Sequence, residues 1–585
     1  MNKQFEILRQ KATKRNEDLK STVQIRVGLG ICGESVGALE ILNQLKDRIK
    51  SHDLSAVAYE VGCIGLCYAE PLVDIQKPGE PRIFFQNVTE DNIDEIIKLI
   101  SENSNNFTGS VLGTLGGPSI NGLPQIEEMT QWKYQTRIAT RNCGTNNPNE
   151  ILDYISTGGY EGLSKAISTM SPEEVRNEVA TSGLRGRGGA AFPTAIKWGF
   201  LVNSPGPDKY ILVNCEEGDP GAYNDKGILE SDPHTLIEGA AIAGFATGAN
   251  KGYVFIRHGH NGPIERTREG IKQAYEANLL GDNILGSDFS FELEVALVGE
   301  SYVSGEETAL MEAIEGKRAM PRSRPPFPAA VGVFGKPSNI NNVKTLSYAP
   351  EIIRKGGEWF SGIGYGRSTG TAILCLNGNV KFPGMYEVAF GITIGQVVEK
   401  ISGGAPEKWN GATLHRTVKL LQTGGPLGGV LGRESLETLL DFESMAAAGA
   451  ILGSGGIIVG DDTVCAVDLV RNLVAFCQFE SCGKCFPCRL GMTHLVEVLE
   501  RISSGNGSPN DFKLMPIVGN AMAQGSLCGH GQLGFNPISS ALRYFGEDFR
   551  IHIEENRCPT GSCIATFHRP TRTRPIASSG WYPGS

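Results

Sequence analysis

The chain has 585 residues, and at roughly 100–200 residues per domain that length predicts three to five domains rather than one small binding module. Its 54 Lys+Arg against 64 Asp+Glu give a net charge of −10, which leaves no basic field for nucleic acid or anionic lipid. The 75 glycines, well above the usual ~7% share, follow no G-X-Y period and lie among apolar segments, so they point to backbone-shaped ligand sites.

The first twenty residues, MNKQFEILRQKATKRNEDLK, lack the apolar core of a secretory signal, and no later apolar run is long enough to span a bilayer. The expectation is a cytoplasmic protein with no direct membrane span. In that compartment the 14 cysteines favour metal or redox chemistry over disulfides. Residues 1–100 read as an α/β domain, with strands at 23–31, 55–60 and 72–75 and a helix at 36–50. Residues 101–140, rich in Ser, Asn, Gly and Thr, read as a linker. Over 141–350, strands at 210–214, 252–257 and 292–298 alternate with helices at 231–248, 262–278 and 305–315, the pattern of a parallel α/β layer. Residues 351–450 read as a small β-grasp module, 451–563 as a helical bundle, and 564–585 as a basic, proline-containing flexible tail.

Two motif groups carry chemistry. Cys482, Cys485 and Cys488 in ESCGKCFPCRLG, with Cys528 after 39 intervening residues, give the three-plus-one thiolate spacing of a [4Fe–4S] cluster. A Cys₄ zinc site, the alternative, usually pairs its ligands two and two. GLRGRGGAAFPTAIKWGF (183–200) sets glycines, arginines and Lys197 ahead of a helix, a phosphate cradle unless the turn only serves packing. VNCEEGDPG (213–221), SYVSGEETAL (301–310) and INNVKTL (340–346) place carboxylates and amides beside apolar strands, where an α/β layer binds its ligand.

Together, GRGGAAFPT, NCEEGDPG, SGEETAL, NNVKTL and the cysteine signature resemble, in order and over about 130–563, the NADH-oxidising flavoprotein subunit of respiratory complex I. They are similar also to diaphorase subunits of NAD-linked hydrogenases and formate dehydrogenases. The resemblance implies a multidomain α/β protein: a thioredoxin-like N-terminal domain, a Rossmann-like FMN/NADH domain, an SLBB-like β-grasp domain and a helical iron–sulfur domain. It places FMN on Gly186, Arg187, Gly188 and Gly189, with Lys197, Asn214, Tyr302, Gly305, Glu306, Asn341, Asn342 and Thr345 completing the pocket. It gives NADH the residues Phe192, Phe200, Glu217, Asp219, Glu307, Arg324 and Phe327, although without the family the phenylalanines would read as core. Ala191, Cys215-Glu216, Lys344 and Arg324 depart from the common family pattern and bear on flavin potential and nucleotide choice.

Cys32, Cys63 and Cys67 resemble three ligands of a thioredoxin-like [2Fe–2S] ferredoxin, but Ser35 and Gly37 occupy the stretch where the fourth is expected. Either another ligand fills in or the domain has lost its cluster. His552, Cys558 and Cys563, with Cys465, read as a tetrahedral zinc site or as buried thiols with a capping histidine. The function expected is a flavin-dependent NADH:acceptor oxidoreductase, passing hydride between NADH and FMN and single electrons through [4Fe–4S] to or from partner subunits, a 24 kDa-like [2Fe–2S] subunit among them. The alternative is an FMN/iron–sulfur adaptor or bifurcating subunit that no longer uses nicotinamide.

Overall fold

The computed structural model describes residues 2–102, 110–409, 412–413 and 416–563. The tail expected at 564–585 and residues 103–109 of the expected linker lie outside the described residues. The protein is mixed α/β with several sheets. An N-terminal helix, Lys3–Lys20, turns Phe5 and Ala12 inward and ties Arg15 Nε to Asp153 at 2.8 Å. It is followed by a five-stranded sheet in the order β2-β1-β3-β4-β5, formed by Val23–Gly28 (β1), Ala56–Val61 (β2), Val73–Gln76 (β3), Arg82–Phe85 (β4) and Val111–Leu115 (β5). β1 and β2 are parallel, whereas β3 and β4 each run against their neighbour. β5 corrects the expected linker: its backbone pairs with β4 despite flanking turn-forming residues. Downstream of it, Ile138 N and Thr140 N donate to the buried Glu387 carboxylate, both at 2.9 Å, anchoring this stretch to a later sheet.

The second sheet is all parallel: Tyr210–Cys215 (β6), Lys251–Arg257 (β7), Glu292–Val298 (β8) and Ser338–Asn342 (β9), in the order β8-β7-β6-β9. Its central strand carries the unbroken apolar run Ile211, Leu212 and Val213, all fully buried, as a strand covered on both faces requires. Against it lies Pro233–Thr247, apolar almost all round and almost entirely buried. The chain steps outward from β6 through β7 to β8, then returns to place β9 on the other side of β6. That reversal leaves a crevice beyond the carboxyl ends of β6 and β9, the usual ligand position in open α/β sheets.

A third sheet combines Thr371–Gly378, Gly384–Ala389, Val418–Thr423, Gly429–Gly432 and Gly456–Asp461. Four longer helices, Ala466–Phe479, Phe486–Ser503, Asp511–Gly525 and Asn536–Glu554, pack beyond it around Val470, Leu495, Met515 and Phe549. Among the described residues no helix is long and apolar enough to cross a membrane.

Candidate functional site

A cavity of about 390 Å³ opens at the crevice beyond β6 and β9. Asn214 and Asn342, opposite one another in the β6–β9 register, both line it. Gly188, Gly189, Glu217, Asp219, Tyr302, Gly305 and Glu306, all expected from the sequence, line it as well. Glu216 and Asp225 add to this wall, while Gly424, Gly453 and Ser454 from the third sheet and Gly529 and His530 from the helical region close the other side. Apart from Glu216, which the sequence already sets near the flavin, these are not foreseen, because chain regions far apart in sequence supply them.

The glycine segment works through its backbone. Gly189 holds φ +116, a conformation that L side chains avoid. A Cβ on Gly188 would lie 3.0 Å from Asn342 Cβ. Four neighbours expected at the ligand do not line the cavity. Gly186 N donates to Phe192 O at 2.8 Å, and Arg187 N donates to Thr345 Oγ1 at 2.9 Å. The Arg187 side chain turns away, donating to Thr369 O at 2.7 Å and Thr371 O at 3.1 Å over the ring of Phe390. Burial lowers its guanidinium to about 10. Asn341 accepts from Trp198 Nε1 at 3.4 Å and donates to Asn339 Oδ1 at 2.8 Å. These residues brace the loop from behind.

The cavity floor holds an unusual density of carboxylates. Glu217 accepts from Asp225 N at 2.8 Å and Lys226 N at 2.7 Å, and burial, then the Asp225 charge, push it up to about 7. Lys344 is buried, 3.0 Å from Asp225 Oδ1, and donates to Asn224 Oδ1 at 2.7 Å and Ser454 O at 3.1 Å. Burial would lower this ammonium, but the Asp225 and Glu217 charges outweigh it and hold it above the usual range. Lys344 therefore compensates charge under the cavity. Glu216 pairs with Arg257 NH1 at 2.9 Å, yet burial still pushes its carboxyl from 4.5 to about 7. The folded chain thus keeps a proton that the unfolded chain releases, so stability falls as pH rises through that window and stays lower above it. Melts of FMN-depleted protein at pH 5 and pH 8 are expected to show this fall, and Glu216→Gln to flatten it by roughly 3 kcal/mol at most. An unchanged slope in the variant contradicts the assignment.

Outside the cavity, Phe192, Phe200 and Phe327 are 43%, 52% and 59% exposed, which removes the core reading of these rings. The Phe192 and Phe200 ring centroids are 6.1 Å apart. Lys197, one turn before Phe200 on Thr194–Val202, lies 3.9 Å from Glu307 Oε2 and does not line the cavity. Arg324 donates to Glu307 Oε1 at 2.6 Å and stands 3.6 Å from Glu306. Aromatic and charged groups thus gather beside Glu306, which lines the cavity.

The cysteine signature lies against the far wall. Cys485 caps Phe486–Ser503, one turn before Cys488, and a Cβ on Gly531 would lie 2.8 Å from Cys488 Cβ, bringing the Cys528 turn against that helix. Burial, then the Cys485 and Cys482 thiols at Cys488 and the Glu306 and Cys482 charges at Cys528, push both up to about 11. Four soft donors converging from two segments fit a cubane cluster. Gly529 and His530, immediately after Cys528, line the cavity, so one turn serves both sites.

Cys465, His552, Cys558 and Cys563 form a second group, their ligand atoms all within 4.8 Å of one another. His552 Nδ1 is 2.6 Å from Asp548 O, which leaves Nε2 facing Cys563 Sγ at 3.1 Å and Cys465 Sγ at 3.5 Å. Orientation of one ring nitrogen by a carbonyl is the usual support for a metal-binding histidine. Cys32, Cys63 and Cys67 gather at one end of the first sheet, with Gly65 N donating to Cys63 Sγ at 3.3 Å.

Residues 179–351 match the family described as the Nuo51 FMN-binding domain, and residues 468–552 the NADH-ubiquinone oxidoreductase-F iron-sulfur binding region. The chain is 43% identical over 436 residues to the NADP-reducing hydrogenase subunit HndC of Solidesulfovibrio fructosivorans, covering 74% of this chain and 87% of that protein. It is 39% identical over 410 residues to the NADH-quinone oxidoreductase F-subunit of Escherichia coli strain K12, covering 70% and 91%. A solved chain of the NAD⁺-reducing [NiFe]-hydrogenase in the air-oxidized state superposes with a TM-score of 0.60 at 26% identity, over 91% of this chain and 85% of that one.

Proposed function

We infer the working of the site from the premise that the chain belongs to the family of NADH-quinone oxidoreductase F-subunits: it is a flavin-dependent NADH oxidoreductase subunit with FMN and [4Fe–4S] cofactors. When bound, these groups supply hydride acceptance, conversion of a pair of electrons to single ones, and their onward transfer. The observation that carries the reading is the shared turn: Cys528, the candidate fourth cluster ligand, lies in the matched iron–sulfur region and is followed directly by Gly529 and His530, which line the cavity.

The residues then divide the work. Gly188 and Gly189 admit the flavin close to the backbone, with Asn214, Tyr302, Gly305, Glu306 and Asn342 around it, while Gly186, Arg187, Asn341 and Thr345 fix the loop. Lys344 keeps the acidic floor compatible with an electron-rich ligand. Phe192, Phe200 and Phe327 offer rings for the adenine, Glu217 and Asp219 acceptors for hydroxyl and amide groups, and Lys197, Glu307 and Arg324 a charged rim. Phe327→Ala is expected to raise the KM for NADH several-fold with FMN content unchanged. An unchanged KM argues against that placement.

The first sheet supports a thioredoxin-like domain, since a parallel β1–β2 pair precedes an antiparallel β3–β4 pair. The third sheet supports an SLBB-like β-grasp module. Because the relatives are named as subunits of larger enzymes, this chain is assigned to a cytoplasmic multisubunit complex with a 24 kDa-like [2Fe–2S] partner. Cys465, His552, Cys558 and Cys563 are assigned one structural zinc. Cys558→Ala is expected to lose that zinc and to melt several degrees lower at constant FMN content. Equal zinc in both proteins, or none in either, makes these residues ordinary thiols. NADH-dependent reduction of ferricyanide by FMN-replete protein tests the activity itself, and no turnover with NADH or NADPH favours the adaptor.

A further inference from the structure

We propose that Glu70 completes a metal centre with Cys32, Cys63 and Cys67, so that the N-terminal domain takes a [2Fe–2S] cluster through three thiolates and one carboxylate. The topology gathers all four. Parallel β1 and β2 end, and antiparallel β3 begins, at the same edge of the sheet. Cys32 lies on the short helix after β1, Cys63 and Cys67 follow β2, and Glu70 precedes β3.

The positions where a fourth thiolate would be sought do not serve. Ser35 Oγ is exposed and donates to Cys32 O at 2.8 Å, and a Cβ on Gly37 would point into open space. Glu70 is different. It is 7% exposed, Leu72 N fixes its Oε2 at 2.8 Å, and its Oε1 is buried with no hydrogen-bond partner. The carboxylate is wedged under the turn that carries Cys32: a Cβ on Gly28 would lie 3.1 Å from Oε1, and one on Gly33 3.3 Å from Oε2.

A buried carboxyl with one oxygen unpaired either keeps its proton, as burial makes this one do without a metal, or releases it to meet a cation. Among the described residues no basic group acts on it: the Cys32 thiol opposes its charge, and the Cys63 thiol is within hydrogen-bonding reach. Three thiols and an unpaired carboxylate form a donor set that a metal centre turns from repulsive to cohesive. Charge also matches, because three thiolates and a carboxylate carry the same total as four thiolates. The loops that carry these cysteines pack on the helix Asn224–Ser231, where Ile31 N donates to Glu230 Oε2 at 3.1 Å and a Cβ on Gly62 would meet Ser231, and Asp225 of the same helix lines the flavin cavity. The centre therefore faces the flavin-binding region.

The test uses the full chain, reconstituted anaerobically with iron and sulfide. Wild type should carry two iron and two acid-labile sulfide beyond the four of the [4Fe–4S] cluster. Glu70→Ala should lose that excess and keep the four. Glu70→Cys should retain it, with stronger and shifted thiolate-to-iron absorption and a changed EPR spectrum. Wild type holding only four iron overturns the proposal, as does a Glu70→Cys spectrum identical to wild type, which remains readable if Glu70→Ala does not fold. FMN content, measured in parallel, reports separately on the flavin reading.

Discussion

Gly188→Val should leave the purified protein with less than about a tenth of the wild-type FMN, a loss of at least ~1.4 kcal/mol in flavin binding. Gly188 shares the cavity wall with Asn342, and even a bare Cβ there would be 3.0 Å from Asn342 Cβ, tighter than ordinary side-chain packing. Asn342 cannot yield freely, because its Nδ2 donates to Asp225 Oδ2 at 2.6 Å and its Oδ1 caps the helix Val343–Ser347 at Lys344 N. The two γ-methyls of valine must therefore project into the cavity or displace this network. The backbone strain at this turn belongs to the next residue, Gly189. Sterics, not φ, thus make Gly188 intolerant. Stoichiometric FMN in the variant would remove the flavin from this wall.

Cys485→Ser should abolish the [4Fe–4S] EPR signal and lower the iron content by about four per chain while FMN stays bound. A hydroxyl is a harder, weaker ligand to iron than a thiolate. The substitution is also a clean one, since Cys485 occupies the N-cap of Phe486–Ser503, where serine is a favoured residue. Loss of the cluster is then not a consequence of a lost helix. A variant with full iron and an unaltered spectrum would show that Cys485 is not a ligand.

The parallel sheet was legible because a buried strand must be continuously apolar, as at Ile211 to Val213, and because helical spacing intervened between the strands. Half of the cavity was legible too, since Asn214, Glu306 and Asn342 sit in polar segments at strand ends. The opposite wall was not. Gly453, Ser454 and His530 have unremarkable local sequence and reach the flavin side only through packing of the third sheet and the helices. The strand Val111–Leu115 was hidden by its Gly, Ser and Asn surroundings, because its pairing with Arg82–Phe85 is a tertiary fact. The helix Lys3–Lys20, half of it charged, buries only Phe5 and Ala12 and carries little periodic signal. Arg187 illustrates the converse: the resemblance sets FMN on its backbone, whereas its N–H donates to Thr345 Oγ1 and its guanidinium serves the Thr369 and Thr371 carbonyls.

The most direct measurement is anaerobic stopped-flow mixing of the FMN-replete full chain with NADH, following flavin and iron–sulfur absorbance together. The account predicts bleaching of the flavin band followed by reduction of the cluster, with the second phase absent in Cys485→Ser and the first retained. No flavin bleaching with either NADH or NADPH, in protein shown to hold FMN and the cluster, would contradict it.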